Sequence, residues 1–267
     1  MGPVSGTRSS EASVEARRER ILEQVLEEGA VAIGELARRH GVSGMTVHRD
    51  LDALGAAGFL TKERGRAVAP SALRVETSAL FRMRAGARLK EAVARAALPL
   101  LGEPESVLVD DSTSVLPLLA ALGRRGRPIT LVTNYLEVVR RAAEHPQLGV
   151  HLLGGDYSPD LDATFGPAAV EAVRRRTVDV AVLSVPAVAQ GRCYHPLEPS
   201  AALKRAALET ARRRILLIDH TKTPRTGPHL VCDTGRFDAV VVDGGVDPAE
   251  ADAMRATGTT VVLAPLD

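Results

Sequence analysis

Apolar residues recur at helical spacing in two short segments near the amino terminus. In residues 41–54 they fall on one stripe, with Ser43 placed as the N-cap whose hydroxyl accepts a backbone N–H. The stripe consists of Val47, Leu51 and Leu54. Just upstream, residues 33–40 predict a second short helix that ends at Gly41. Two short helices joined through a glycine-containing turn predict a helix-turn-helix.

Flanking segments extend this unit on both sides. Residues 14–29 predict another amphipathic helix, and Gly58 is placed to end the second helix of the pair. Residues 59–69 predict two short strands around a glycine-containing turn, a hairpin that could serve as a wing. Together these elements predict a winged helix-turn-helix over residues 14–70. The alternative is a helical core segment with charged flanks, which does not explain the hairpin.

Polar and basic side chains lie off the apolar stripe, near the end of the helix that would meet base edges and phosphates. Thr46, His48 and Arg49 are the residues predicted to read the major groove. The full set predicted to contact DNA is Arg38, Ser43, Met45, Thr46, His48, Arg49, Lys62, Arg64 and Arg66. The formal net charge of the chain is only +1, so this prediction depends on local clustering of cations.

This part of the chain resembles the winged helix-turn-helix of the DeoR family of bacterial sugar-catabolism regulators. The family pattern is Val-Ser, two variable residues, Thr, an aliphatic residue, two basic residues and Asp-Leu, and residues 42–51 follow it. The chain departs at His48, where the family has Arg, and at Arg64 and Arg66, where the family wing has His and Gly. The resemblance implies a double-stranded DNA operator as partner, and these departures fall at DNA-facing positions.

From about residue 78 the pattern changes to helices alternating with short apolar runs rich in β-branched residues. The predicted strands are residues 106–109, 129–132, 150–153, 178–183, 215–218, 239–242 and 260–263. The predicted helices are residues 87–101, 114–122, 136–144, 167–175, 201–212 and 248–257. This alternation predicts an α/β fold with a mainly parallel sheet over residues 87–267, joined to the first domain by a linker at 71–86.

Hydroxyl, acidic and glycine residues follow several predicted strands. Ligands of parallel sheets bind outside the carboxyl ends of the strands, and hydroxyls at a helix N-terminus suit an anion. The residues at these ends are Asp110, Asp111, Ser112, Thr113, Ser114, Thr133, Asn134, Gly154, Gly155, Asp219 and Lys222. We expect them to form a ligand site, although each group alone is also typical of an ordinary turn or cap.

Lysine is rare in this chain, which otherwise uses arginine as its base. The lysines are Lys62, Lys90, Lys204 and Lys222. A lysine retained among so many arginines indicates a site that needs a compact ammonium instead of a planar guanidinium. The alternative is a solvated lysine on the surface.

These residues also occur in the order of the DeoR-type sensor domain, so the resemblance covers nearly the whole chain. The family carries a lysine at Lys90, a phosphate loop at 110–114, Thr-Asn, Gly-Gly, an aspartate at Asp179, a helix lysine at Lys204 and Asp-x-x-Lys. The chain departs at Asp111 and Ser112, where the loop normally has Ser-Gly.

The resemblance implies a sensor fold similar to ribose-5-phosphate isomerase that binds a phosphorylated sugar as effector. It further implies a homo-oligomer, either dimer or tetramer, and a repressor of a carbohydrate-catabolism operon. No cofactor is expected.

Composition narrows the class of protein. With 267 residues and 45% hydrophobic residues, the chain can form a second domain with its own core. Tryptophan is absent, which argues against aromatic platforms for single-stranded nucleic acid. Two cysteines give no disulfide framework and favour a cytoplasmic location. No apolar run approaches the roughly 20 residues of a membrane helix, so no membrane association is expected.

Two other functions are open at this point. An aldose–ketose isomerase would need a carboxylate base and an electrophile. Candidates are Asp110, Asp111, Asp179 or Glu198 as base, with Lys90 or Lys204 as electrophile. A metal sensor could use Cys193, His195, His229 and Cys232, but this spacing is too loose for a zinc motif. Neither function is set by spacing, and we expect neither an enzyme nor a metal site.

Overall fold

The computed structural model describes residues 11–56, 59–69 and 79–266. The chain divides into two compact units, Met1–Ala85 and Gly86–Asp267. We call them the N-terminal unit and the C-terminal unit. Gly58 and residues 71–78 of the predicted linker lie outside the described residues. The domain bounds predicted from the sequence therefore stay a prediction.

The N-terminal unit combines helices with a small antiparallel sheet. Its helices are α1 (Glu11–Glu28), α2 (Ile33–His40), α3 (Gly44–Ala56) and α4 (Ala79–Arg84). Its strands are β1 (Ala30–Ala32), β2 (Thr61–Glu63) and β3 (Arg66–Val68), in the order β1-β3-β2. The apolar stripe of α3 is buried against α1, α2 and the hairpin, as the pattern predicts. The core contains Ile21, Leu22, Val25, Leu36, Val47, Leu51, Leu54 and Phe59.

A helix cap and an ionic contact with α1 set the position of α3. Ser43 caps the helix, because its Oγ accepts the backbone N–H of Thr46 at 3.2 Å. Asp50 is buried, and its carboxylate forms salt bridges with two arginines of α1, Arg17 Nε at 2.7 Å and Arg18 Nε at 3.1 Å. This ionic contact ties α3 to α1 and so helps to decide which face of α3 is turned outward.

The wing between β2 and β3 is a two-residue hairpin turn. Arg64 has φ 46° and Gly65 has φ 79°, and Glu63 pairs with Arg66 across the turn. Positive φ at both central residues matches the right-handed twist of the flanking strands. Arg64 adopts this conformation without being glycine, and it is exposed at the tip of the wing.

The C-terminal unit is built on a seven-stranded parallel sheet. Its strands are β4 (Ser106–Val109), β5 (Ile129–Thr133), β6 (Leu148–Leu152), β9 (Val178–Leu183), β12 (Ala211–Leu217), β14 (Ala239–Asp243) and β15 (Thr260–Ala264). All seven predicted strands form, which confirms the α/β class. The sheet order is β15-β14-β12-β9-β4-β5-β6. From β4 the chain adds strands on one side, and from β9 on the other.

Helices cover the sheet where the sequence predicts them, with shifted ends. They are α5 (Ala87–Ala97), α6 (Leu116–Gly123), α7 (Leu136–Ala142), α8 (Pro167–Arg174), α9 (Glu198–Thr210) and α10 (Pro248–Ala256). The predicted helix 87–101 ends early and continues as a tighter turn at Leu98–Leu101, where Pro99 lacks a backbone N–H. Among the described residues, no helix is long and apolar enough to span a membrane.

Small antiparallel sheets were not predicted from the sequence. One pairs β7 (Asp156–Ser158) with β8 (Ala163–Phe165), and the other has the order β10-β11-β13. The strands of the second are β10 (Ala187–Ala189), β11 (Arg192–His195) and β13 (His229–Asp233). These strands are three to five residues long, so their periodicity is too short to distinguish from loops.

Gly155 is required by its backbone surroundings. Its φ is +138°, and an added Cβ would run into the carbonyl oxygen of Phe165. We expect Gly155→Ala to lower the free energy of unfolding by about 1–3 kcal/mol. Gly154→Ala is the matched control, since a Cβ there would meet no atom of the described part of the chain within 4 Å. Urea unfolding of both variants tests this, and equal midpoints would contradict it.

Candidate functional site

The polar strand ends meet at one point of the parallel sheet. Strands added after β4 run to one side and strands added after β9 run to the other, so the strand order reverses between β4 and β9. Ligands of open α/β sheets bind at such a switch point, beyond the carboxyl ends of the strands. Residues 110–114 follow β4 and Ser184 follows β9, which places both segments at this crevice.

Lys204 is the centre of the site. Its Nζ lies 2.6 Å from Asp110 Oδ2, 3.4 Å from Asp111 Oδ1 and 3.2 Å from Ser112 Oγ. Lys204 and Asp110 are each only 2% exposed. A buried ammonium needs such partners because desolvation strongly disfavours an isolated charge. Lys204 is therefore not a solvated surface lysine.

The loop after β4 is held by hydrogen bonds to the neighbouring strand end. Asp110 Oδ1 accepts the backbone N–H of Ser112 at 3.0 Å, and Asp110 Oδ2 accepts that of Ser184 at 3.3 Å. Ser112 Oγ donates to the carbonyl oxygen of Ser184 at 3.1 Å. Ser112 has φ −84°, so the serine in place of the family glycine is unstrained here.

Lys222 approaches the same crevice from the segment after β12. Its Nζ lies 3.0 Å from Ser114 Oγ and 2.9 Å from Ser184 Oγ. Asp219 Oδ2 lies 3.6 Å away, and the Asp219 carboxylate also accepts hydrogen bonds from Thr221. Two lysines and three serine hydroxyls thus converge on one crevice.

Asp219 keeps its charge despite burial. Burial by itself raises the pKa of Asp219, but the Lys222 ammonium, the Thr221 hydroxyl and the charges of Lys90 and His220 outweigh it. The pKa of Asp219 therefore lies below its ordinary value. Lys90 is buried on α5, and its charge acts on this carboxylate.

This shift predicts a pH dependence of stability. A carboxylate whose pKa is lowered in the folded state contributes stability above its unfolded pKa of about 3.9, which is lost as the pH falls through the folded value. We expect Asp219→Asn to lower the free energy of unfolding by about 1–3 kcal/mol at pH 7. The difference in this free energy between variant and wild type should shrink below about pH 4. Denaturant unfolding at several pH values measures this. A difference in unfolding free energy that stays constant down to pH 2 would contradict a lowered pKa of Asp219.

The residues after β5 give a second kind of contact. Thr133 Oγ1 accepts the backbone N–H of Tyr135 at 3.1 Å, so this hydroxyl shapes the turn. Asn134 Nδ2 donates to the carbonyl oxygen of Thr164 at 3.0 Å. The other amide atom, Asn134 Oδ1, is buried and has no hydrogen-bond partner among the described residues. A buried acceptor of this kind needs a donor, and a ligand hydroxyl would supply one.

Three residues predicted to belong to the site have contacts outside the cluster around Lys204 and Lys222. Asp179 lies near the start of β9, at the opposite end of that strand from Ser184, and accepts hydrogen bonds from Ser106 at 3.0 Å. It ties β9 to β4 and does not join the cluster. Gly155 approaches the Phe165 backbone, and Gly154 is exposed. That this glycine pair belongs to the ligand site stays a prediction.

Two residues of this cluster were not predicted from the sequence. Ser184 contacts Lys222 and the loop after β4, and its signal was its position directly after an apolar strand. Ser200 Oγ donates to Asp111 Oδ1 at 3.3 Å, and its signal was its place one helical turn before Lys204. Asp111 thus faces Lys204 and Ser200, a polar environment that offsets its charge.

The chemistry of the site suits a polyhydroxylated anion. Its lysines are Lys90, Lys204 and Lys222, and its carboxylates are Asp110, Asp111 and Asp219. Ammonium and hydroxyl groups can donate to an anionic oxygen, while carboxylates and Asn134 can accept from hydroxyl groups.

A second candidate surface lies on the N-terminal unit. The amino-terminal turns of α3 present Met45, His48 and Arg49 to solvent, with Met45 72% exposed. Thr46 is half-buried, and its Oγ1 lies 2.9 Å from Ser43 Oγ.

The other predicted contacts come from α2 and the wing. Arg38 and Arg64 are exposed. Lys62 pairs with Asp52, and Arg66 Nη2 donates to the carbonyl oxygen of Ala30 at 2.7 Å. All nine predicted residues belong to α2, α3, the residue that caps α3, or the hairpin.

Two histidines of the alternative metal-sensor hypothesis contact other residues. His195 Nδ1 accepts the backbone N–H of Leu197 at 3.0 Å, and His229 Nδ1 lies 3.1 Å from Glu198. Over the residues that the structure describes, no group of three or more His, Cys, Asp or Glu side chains could hold a metal ion.

Comparison with known families gives two matches. The model described as the DeoR C-terminal sensor domain matches residues 86–244, more than half of the chain. The model described as the DeoR-like helix-turn-helix domain matches residues 17–72.

Relatives of similar length are transcriptional regulators by name. An L-fucose operon activator from Haemophilus influenzae is 28% identical, covering 85% of this chain and 91% of its own. A lactose phosphotransferase system repressor from Lactococcus lactis is 26% identical, covering 87% and 92%. The transcriptional repressor AccR from Agrobacterium fabrum is 26% identical, covering 87% and 91%.

Solved structures match more weakly. Ribose 5-phosphate isomerase A from Neisseria gonorrhoeae has a TM-score of 0.38 and 15% identity, covering 51% of this chain and 54% of its own. An eIF2B complex from C. thermophilum has a TM-score of 0.40 and 14% identity, covering 85% and 86%.

Proposed function

The chain belongs to the DeoR family of DNA-binding transcriptional regulators, and from that premise we propose that it represses a carbohydrate-catabolism operon under the control of a phosphorylated sugar. The carrying observation is the convergence of Lys204 and Lys222 with serine hydroxyls at the switch point of the sheet. This crevice provides donors for a phosphate and acceptors for sugar hydroxyls in one place.

The DNA contacts belong to the N-terminal unit. We propose that α3 enters the major groove, where Thr46, His48 and Arg49 meet base edges, with Ser43 and Met45 beside them. The exposure of Met45, His48 and Arg49 and the burial of the opposite stripe support this. Arg38 and the wing cations Lys62, Arg64 and Arg66 would hold phosphates. For Lys62 this requires it to leave Asp52, which lies at the surface.

The effector contacts belong to the C-terminal unit. We propose that Ser112, Thr113, Ser114 and the lysines bind the phosphate, while Asn134 and the carboxylates bind sugar hydroxyls. Because Lys204 is already neutralised by Asp110 and Asp111, an incoming phosphate must compete with these carboxylates. This favours an effector whose hydroxyl groups satisfy Asp111 when Lys204 turns to the phosphate.

Regulation requires that the effector prefer one state of the protein. To change operator occupancy from nearly full to nearly empty, this preference must be about 5 kcal/mol. We propose that the effector releases DNA, as a catabolic repressor requires. We also propose that the protein acts as a homo-oligomer on paired half-sites, because dimers bind half-sites one or more helical turns apart.

The proposal is tested with the full chain. Operator DNA is first selected from a random duplex library, and binding is then followed by fluorescence anisotropy. Sugar phosphates are added one at a time, with the unphosphorylated sugars as matched controls. We expect at least one sugar phosphate to weaken DNA binding while its unphosphorylated sugar does not. Selection of no duplex sequence, or equal responses to both members of every pair, would overturn it.

The isomerase alternative has a direct test. Ribose 5-phosphate is incubated with the purified chain, and ketose formation is compared with a protein-free control. We expect no turnover above the control. Turnover that disappears in Asp110→Asn, with binding of the sugar phosphate retained, would establish the enzyme instead.

A further inference from the structure

The two cysteines of the chain face each other across the small sheet β10-β11-β13. Cys193 on β11 stands directly opposite Cys232 on β13 in the antiparallel register. Directly opposed residues of such strands have Cα atoms about 4.5–5.5 Å apart, inside the range of about 4.4–6.8 Å that a disulfide spans. We propose that Cys193 and Cys232 form a redox-active pair that a peroxide converts into an intramolecular disulfide.

The two thiols differ in access, which assigns their roles. Cys193 is fully buried in the core, whereas Cys232 is only half-buried. A hydrogen bond with Cys232, together with burial, raises the pKa of Cys193 well above its ordinary value. The Cys193 thiol is therefore seldom ionised, and Cys232 is the cysteine that reacts with the oxidant first.

The chemistry balances with one peroxide molecule. The Cys232 thiolate attacks a peroxide oxygen, so that an S–O bond forms, the O–O bond breaks, and hydroxide leaves and is protonated to water. The Cys193 thiol then loses its proton and its sulfur attacks the Cys232 sulfur. The S–S bond forms as the S–O bond breaks, and a second water leaves. Two electrons pass from the two thiols to the peroxide.

The position of the pair connects it to the lysine site. β11 leads into α9, which carries Lys204, and Lys222 precedes β13 in the chain. A disulfide would close a loop over residues 193–232 that contains both lysines. Closing such a loop lowers the entropy of the unfolded chain and stabilises the folded unit. The sensor would thereby respond to oxidants independently of its effector.

The test uses the reduced full chain treated with hydrogen peroxide and then digested without reductant. We expect a cross-linked peptide containing Cys193 and Cys232, a mass loss of about 2 Da for two hydrogens, and reversal by dithiothreitol. The thermal midpoint of the oxidised chain should rise by several degrees. Amide exchange in α9 and the segment 220–222 should slow.

Two variants serve as controls. Cys193→Ala and Cys232→Ser each retain one cysteine, and neither should show a rise in thermal midpoint with peroxide. Cys193→Ala should instead trap a sulfenic acid at Cys232, detected by dimedone labelling. The proposal fails if peroxide leaves both thiols reduced, oxidises them without a cross-link, or joins separate chains. An unchanged or lower midpoint in the cross-linked protein would also overturn it.

Discussion

Replacing Lys204 with methionine is expected to lower the free energy of unfolding of the C-terminal unit by about 3–5 kcal/mol. The ammonium lies 2.6 Å from Asp110 and 3.4 Å from Asp111, and each of the three side chains is at most 2% exposed. Methionine keeps an unbranched apolar side chain but leaves two buried carboxylates without their cation. The loss therefore comes from uncompensated charge more than from packing.

A double variant separates charge from packing. Asp110→Asn removes one of the two carboxylates, so Lys204→Met with Asp110→Asn should recover part of the lost stability. Arg205→Ala is the matched control on the same helix, because the Arg205 side chain is 36% exposed and its ion pair with Glu198 is worth at most about 1 kcal/mol. Urea unfolding measures all variants. A loss in Lys204→Met no larger than that in Arg205→Ala would show that Lys204 is not the ionic centre.

The effector role of the lysines is tested at Lys222, where the fold is less at risk. Lys222 is 16% exposed and lies 3.6 Å from Asp219, and the Asp219 carboxylate still has the charge of Lys90 to stabilise it when Lys222 is removed. Lys222→Met should therefore be folded yet lose the thermal shift that a sugar phosphate produces in wild type. Wild-type affinity in this variant would remove Lys222 from the proposed site.

Replacing Arg49 with alanine is expected to weaken operator binding by about 1–3 kcal/mol, roughly a 5- to 150-fold loss of affinity, if its guanidinium contacts a base. Arg49 is exposed on α3, whereas the next residue, Asp50, is buried against Arg17 and Arg18. The change therefore removes an outward cation and leaves the contact that positions the helix. Fluorescence anisotropy with the selected operator measures the loss.

Controls distinguish a base contact from general electrostatics. Arg255→Ala removes an exposed arginine of the C-terminal unit and should leave operator affinity within about 0.5 kcal/mol. For Arg49→Ala, binding of the sugar phosphate should survive, and preference at one operator position should relax. A uniform loss across sequences, with a weaker salt dependence, would assign Arg49 to phosphate instead. Parallel loss of effector binding would indicate misfolding.

The sequence predicted the elements that depend on period and on turn chemistry. The stripe of Val47, Leu51 and Leu54, the cap at Ser43 and the end of α2 at Gly41 are all where the pattern places them. The apolar runs of the large sheet behave in the same way, since a strand buried on both faces has to be apolar at nearly every position. These features are local, and each is encoded within a few residues.

The location of the candidate site could also be predicted from the sequence, because the polar residues follow strands whose carboxyl ends share one edge of the sheet. What the sequence left undecided was which residues meet there. Asp179 has the residue type of a ligand group, yet it lies at the other end of β9 and binds the backbone of β4. Ser184 directly follows an apolar strand, but this position does not reveal that it touches Lys222.

The amino-acid order alone thus predicted the helices other than α4, the parallel strands, the family and the residue types available for binding. Only the tertiary structure decided that Lys204 is neutralised by Asp110 and Asp111, that Asp50 anchors α3, and that Cys193 faces Cys232. Periodicity reports how one segment buries its own apolar face, while these contacts join residues more than 30 positions apart. Their geometry depends on strand order and register, which no single segment encodes.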